Sequence, residues 1–293
     1  MSPRKKDEKK YTKYVGIFLA VIMVGSIGMF FFSGGSTNNN NEQTSENVQV
    51  SGFESVPGEH IGITLNSIQD GLQVTPDNVT TARYMNIAYL NGTPLQYLIG
   101  NTSVYNNFYG SNVTKLYSAG YDNSSWIEMH EIDPKVVAFQ YYTAPETYKG
   151  YQPLLSRGQG IYNVIGTPML LGEQQSVEDT IDVIEGDAES AHKFNEILQF
   201  ASTDAPIQQV VDLENEFADQ YYVEWAIEDG SSFRRTALYA DPTENTMTNL
   251  TIRASNTSQR GLNYNITDYG NITKVDITAN ASNFYALAME PIQ

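Results

Sequence analysis

Residues 14–32, YVGIFLAVIMVGSIGMFFF, run for nineteen positions without a charge. A helix rises about 1.5 Å per residue, so the run reaches roughly 29 Å, close to the hydrocarbon thickness of a bilayer. It is predicted to be a transmembrane signal anchor. Six basic residues precede it (Arg4, Lys5, Lys6, Lys9, Lys10, Lys13) against two acidic ones, and the next Lys or Arg is Arg83. That imbalance predicts a cytoplasmic basic stub over 1–13 and an extracytoplasmic location for everything after Ser33. A cleaved secretory signal is the competing reading. Its apolar core spans about 7–15 residues, shorter than this run, and Ser33-Gly34-Gly35 is a weak cleavage site. We adopt the retained anchor.

Charge then limits the partners. Of 17 basic and 34 acidic residues, six and two precede residue 14, leaving 11 against 32 outside, a formal charge of −21. Such a surface repels polyanions, so no nucleic-acid partner is expected. The chain has no cysteine, which removes disulfides, thiol nucleophiles, thiolate metal sites and iron–sulfur clusters. Ten Asn-x-Ser/Thr sequons are present: Asn78, Asn91, Asn101, Asn112, Asn123, Asn249, Asn256, Asn265, Asn271 and Asn280. Asn91 is the poorest acceptor, because Pro94 follows its Thr93. Asn, Ser and Thr also meet by accident in turns, but export supplies the compartment for N-glycosylation, and glycans sit on surfaces. Many sequons without cysteine fit an archaeal surface protein better than a eukaryotic one.

Residues 33–47 are a polar linker, with STNNNNEQTSEN offering nothing to bury. Folding sequence begins near Val48, with a β-rich subdomain over 48–145 and an α+β subdomain over 146–293. In the first, residues 83–90 (RYMNIAYL) read as a strand ending at Asn91-Gly92, a turn signal. Residues 126–132 and 135–142 read as two strands meeting at a corner, Asp133-Pro134. A Gly/Pro-punctuated connection fills 145–160. In the second, Ser176 and Asp179 suggest a capping box. Val177, Ile181 and Ile184 fall on one stripe and Gly186 ends the helix. A second helix is expected over 188–201, with Ala191, Phe194, Leu198 and Ala201 on its apolar side. Residues 221–227 and 233–239 alternate apolar and polar around Asp229-Gly230, a hairpin that brings Glu224 or Glu228 near Arg234 or Arg235 as a surface pair. Residues 262–266, 272–277 and 284–289 read as further strands. The predicted fold class is α+β: a largely antiparallel sheet with a helical pair inserted.

Motifs that carry chemistry are sparse. The run Asn163-Val-Ile-Gly-Thr-Pro-Met-Leu-Leu resembles the strand-entering Thr-Pro of thioredoxin-like folds, where the proline is cis. The Cys pair that carries their chemistry is missing, so it reads as a turn before a buried strand. The Gly-Thr-Pro at 92–94 and 166–168 forms a faint internal echo at a separation of 74 residues. Among three histidines (His60, His130, His192) only His130 lies among acids, in Glu128-Met-His-Glu131-Ile-Asp133. Strand alternation puts two candidate ligands on each face, short of the three a metal needs, and the segment reads as an exposed polar face. His192, beside Lys193, reads as solvated. Asp212, Glu214, Glu216 and Asp219 depart from the calcium-loop pattern. No nucleophile elbow, His-Glu-x-x-His or phosphate loop occurs. No catalytic residue, metal ligand or cofactor site is therefore assigned.

The segment 124–248 holds no sequon. That suggests a glycan-free surface through which a protein partner or a sister subunit docks. The resulting expectation is a single-pass, membrane-anchored extracytoplasmic glycoprotein that binds, scaffolds or serves as an accessory subunit. The alternative is an anchored, carboxylate-dependent hydrolase of glycan-type substrates, which needs two carboxylates about 5–10 Å apart in a cleft.

Overall fold

Period-two alternation over much of the chain builds one wide sheet. The computed structural model describes residues 50–156, 160–213, 217–257 and 260–292. Residues 14–32, the basic stub, the linker and the acidic pair Glu214 and Glu216 lie outside the described residues. Among the described residues, no helix is long and apolar enough to cross a membrane.

In chain order the elements begin with β1 (Ser51–Gly52), β2 (Ile61–Gly62), α1 (Ile68–Leu72), β3 (Val79–Met85), α2 (Ile87–Leu90), α3 (Ser103–Tyr109), β4 (Asn112–Tyr121) and β5 (Trp126–Asp133). Short strands follow: β6 (Val136–Val137), β7 (Tyr141–Thr143), β8 (Pro153–Ser156), β9 (Tyr162–Val164), β10 (Gly166–Thr167) and β11 (Met169–Gly172). The rest comprises α4 (Gln174–Ile184), α5 (Asn195–Leu198), β12 (Ile207–Asp212), β13 (Gln220–Glu228), β14 (Ser232–Ala240), α6 (Glu244–Ser255), β15 (Leu262–Asp268), β16 (Ile272–Asn280) and α7 (Phe284–Ala288). Twelve strands join in the order β15-β16-β14-β13-β12-β3-β4-β5-β11-β9-β8-β7. Every pairing in that sheet is antiparallel. The class is α+β. Residues Val48–Gln293 cluster as one compact unit, and β7 pairs with β8 across the connection at 145–152.

Both faces of the sheet are covered. On one, Ala82, Tyr84, Tyr117, Ala119, Ile127, Met129, Leu170 and Val210 pack against Ile68 and Leu72 of α1, Val177 and Ile181 of α4, and Ile197 and Leu198 of α5. On the other, α2 and α3 lie on β4, and α6 and α7 lie on β15 and β16. A sheet buried on both sides turns polar strand positions into interior ones, and this drives the main departures from expectation.

Residues 83–90 are half strand and half helix, because Asn86 caps α2 with its side chain on the Tyr89 amide. Ser176 caps nothing. The helix starts two residues before it, at Gln174 after Glu173, and Ser176 is buried. The capping box instead forms at Ser67 and Asp70 ahead of α1. The second helix shrinks to the four residues of α5, although Ala191, Phe194 and Leu198 are buried as expected, with Ala201 half-buried. The apolar pattern was about burial there, and irregular backbone satisfies it. Residues 284–289 form no strand: 284–288 are helix α7 and Met289 is its C-cap. The hairpin is as expected: β13 and β14 pair in register from Gln220↔Ala240 to Glu228↔Ser232, with Asp229 (φ 50°) and Gly230 (φ 68°) both left-handed, as the tightest hairpin turns require. Asp133-Pro134 and Thr167-Pro168 are both cis.

Candidate functional site, an acidic cleft beside α4

Three groups of polar side chains compete for a functional role; the first is closed to solvent and the second is partly so. The first is the histidine segment. Arg83, Ser118 and Glu128 are directly opposed across β3, β4 and β5, so they share one face of the sheet. His130 follows two residues after Glu128 on that face, and α3 lies over both. His130 Nε2 is 3.1 Å from Glu128 Oε2 and its Nδ1 is 2.8 Å from the Tyr109 hydroxyl. Tyr105 stands edge-on to the imidazole at 5.0 Å and bonds Glu128. His130 is fully buried and Glu128 is 3% exposed, which corrects the expectation of an exposed polar face. Burial pushes the hydroxyls of Tyr105 and Tyr109 well above their ordinary range, and the Glu128 charge adds to it. Burial likewise lowers Arg83 to about 10. Among the described residues, Arg83 Nε, Ser118 Oγ, Glu128 Oε2 and His130 Nε2 are buried without a hydrogen-bond partner. The cluster is internal, and substrate has no access to it.

The second group surrounds Arg234. Its Nε donates to Glu228 at 2.7 Å and its Nη1 to Glu224 at 3.2 Å, with Asp276 at 3.6 Å. The expected Glu–Arg pair is present at the surface through Glu228, 39% exposed, but Glu224 is 1% exposed and also accepts from the Ser202 amide and the Tyr222 hydroxyl. Arg235 points to the other face, its guanidinium 5.7 Å from the Trp225 ring centre. These three carboxylates converge on one guanidinium.

The third group is open. A cleft of about 490 Å³ is lined by Pro76, Asp77 and Asn78 ahead of β3, by Tyr121 to Asn123 and Ser125 at the β4–β5 turn, and by Ser176, Asp179, Asp182, Ala188 and Glu189 on and after α4. Register builds it: Val79 opposes Tyr121, which brings Asn78 beside the turn. The turn is held by the Tyr121 amide to Ser125 oxygen bond of 3.1 Å and by Asn123 Oδ1 accepting from the Ser125 amide at 3.0 Å. On α4 the apolar stripe faces the sheet, so Asp179 and Asp182, three residues apart, face outward together. Five carboxylates therefore share one concavity.

Asp182 accepts from Lys149 Nζ at 2.5 Å and from the Tyr148 hydroxyl at 2.8 Å. The Lys149 bond is the main reason its carboxyl lies below the ordinary range. A glycosidase general acid needs a raised carboxyl, the opposite direction. Burial, followed by the charge of Asp179, raises the Tyr121 hydroxyl. The cleft concentrates negative potential and attracts cationic groups. Among the described residues, no group of three or more His, Asp or Glu side chains could hold a metal ion.

Of the sequon asparagines, Asn78 and Asn123 line this cleft. Asn91, Asn101, Asn112, Asn256, Asn265, Asn271 and Asn280 are exposed elsewhere, and Asn249, within α6, is half-buried. His192 is exposed as expected, 3.9 Å from Asp77. Asp212 pairs with Lys193. Sequence reasoning missed the cleft because its walls come from stretches up to about a hundred residues apart. The only local signal was the polar stripe of α4.

The profile of the AF_2048_N family N-terminal domain matches residues 64–185. That stretch holds the Arg83–Ser118–Glu128 row and nearly all of the cleft. Among solved structures, crystal form III of TP0453 is similar with a TM-score of 0.45 and 11% identity over 77% of this chain and 98% of that one. Crystal form I of TP0453 gives 0.43 and 9% over 74% and 96%. No curated protein matches the chain.

Proposed function

We propose that the chain is a binding or accessory subunit, held at the membrane by residues 14–32 with its folded part extracytoplasmic and N-glycosylated. The observation that carries this reading is the contrast between the polar groups. The chemically versatile ones, Glu128, His130 and Tyr109, are sealed inside, whereas the open concavity presents only carboxylates, amides and hydroxyls around Asp179 and Asp182. Such a surface recognises a cationic partner. The cleft wall formed by α4 lies in the sequon-free segment 124–248, which supports docking of a protein partner on that wall, whereas the opposite wall carries the sequons Asn78 and Asn123. Asp182, paired with Lys149 and held below the ordinary carboxylate range, is unsuited to the general-acid role of a hydrolase.

Crosslinking of intact membranes, followed by gentle solubilisation and mass spectrometry, tests the proposal. We expect a copurifying protein with crosslinks at the rim of the cleft and on α4. A lone monomer, or crosslinks confined to the glycosylated segments, would count against it. Protease digestion of sealed cells tests the topology: the bulk of the chain should be cut from outside.

A further inference from the structure

Residues 290–292 are bound by the fold in the way a ligand is bound. Arg235 on β14 donates from Nη1 to the Glu290 oxygen at 2.6 Å and from Nη2 to the Pro291 oxygen at 3.2 Å. Arg253 on α6 donates to the same Pro291 oxygen at 3.1 Å, and the Tyr239 hydroxyl donates to the Ile292 oxygen. The Glu290 carboxylate accepts from the Tyr264 hydroxyl on β15 and from Arg260. Glu290 is buried, whereas Pro291 is exposed and Ile292 half-exposed. The segment pairs with no strand, so it can leave without unmaking the sheet. Three of the 11 basic residues beyond residue 33 converge on it, in a molecule whose surface is otherwise acidic.

We propose that Arg235, Tyr239, Arg253, Arg260 and Tyr264 form a peptide-binding pocket for an extended Glu-Pro-aliphatic segment, and that the pocket accepts residues 290–292 of a second copy of this chain. Recognition rests on three consecutive carbonyl oxygens and one buried carboxylate. An acidic peptide repelled by the rest of the surface is accepted only if it places a carboxylate between Arg260 and Tyr264. The preceding helix α7 leaves Tyr285 75% exposed and Met289 59% exposed, apolar surface that the second copy covers. In an intact copy, the tether gives its own segment an effective concentration on the order of millimolar, so occupancy in cis dominates in dilute solution. This inference is independent of the acidic cleft and of the topology proposed above.

The test separates pocket from segment. One full-length variant carries Arg260→Met, which breaks the pocket and keeps the segment. The other lacks residues 290–293, which opens the pocket and removes the segment. Each is purified in mild detergent with a distinct tag and checked for cooperative melting. Tyr264→Phe and Glu290→Gln replace any variant that fails to fold. Either variant alone is expected to be monomeric, and the equimolar mixture is expected to form a one-to-one complex at least tenfold tighter than any self-association. A mixture that stays as two monomers overturns the proposal, as does self-association of either variant as strong as that of the mixture.

Discussion

Glu128 and His130 stand two residues apart on β5 with Oε2 and Nε2 separated by 3.1 Å, and neither meets solvent. The two atoms lie at ion-pair distance without a hydrogen bond between them, and either group left alone in that position carries a larger uncompensated desolvation cost.

The pair therefore predicts a non-additive cycle. Glu128→Ala removes the acceptor of the Tyr105 hydroxyl and the carboxylate facing His130 Nε2 and is expected to cost about 3 kcal/mol. His130→Phe keeps the ring contacts with Tyr105 and Tyr109 but removes both nitrogens. The double variant Glu128→Leu with His130→Phe should cost less than the sum of the two single changes. Urea unfolding at neutral pH, with the slope of each transition compared, measures all three. Strict additivity would show that the two side chains are not coupled.

Glu290 predicts a pH dependence. Burial raises its carboxyl, but the Arg260 and Tyr264 hydrogen bonds outweigh that and leave it below the ordinary value. A carboxyl lowered on folding contributes stability above its unfolded pKa, about 4.3, and the contribution is lost as pH falls through the folded value. The stability gap between wild type and Glu290→Gln should thus be widest at neutral pH and close below about pH 4. Unfolding curves from pH 7 to pH 3 read this directly. A gap of constant size across that range contradicts the assignment.

Gly71 predicts a reversal of the usual helix rule. Alanine in place of an interior helical glycine normally adds about 0.5–1 kcal/mol. Here a β-carbon would lie 2.2 Å from the Tyr117 ring, which is fully buried and whose hydroxyl accepts from Thr75 at 2.9 Å. Gly71→Ala should instead destabilise by about 1–3 kcal/mol, the cost of overpacking. A raised melting temperature would show that the ring gives way freely.

The sequons predict an occupancy map. Asn78, Asn101, Asn112, Asn123, Asn256, Asn265 and Asn280 are exposed and should carry glycan. Asn249 is half-buried in α6 and Asn91 precedes a Thr-Pro, so both should be bare. Asn271 donates its side-chain amide to Glu196 and should be only partly modified. Glycopeptide mass spectrometry of the protein from its own membranes decides the matter, and modification at Asn249 would contradict the map.

What could be read from the sequence was what is local. The β13–β14 hairpin follows from alternation and Asp229-Gly230 alone, since no distant residue is needed to choose that turn. The Ala191–Leu198 stripe marked burial correctly but not conformation, because an apolar period cannot tell a helix from a loop pressed onto a sheet. Glu128, His130 and Glu224 were misplaced for one shared reason. Alternation implies solvent on the polar side only when that side is open, and the covering pieces, α2 and α3 on the Glu128 face and the segment after α5 that reaches Glu224 through the Ser202 amide, are too short to announce themselves. The cleft and the pocket around Glu290 depend on register and on residues far apart in the chain, information that no local pattern carries.

A sheet twelve strands wide still ends in only two rims, and both are blunted. The β7 rim is three residues long, while the β15 rim keeps Asn263 and Asn265 in water. Unpaired backbone at a rim is what templates the growth of fibrils. Crowded copies of this chain therefore present no long greasy edge on which such growth could nucleate.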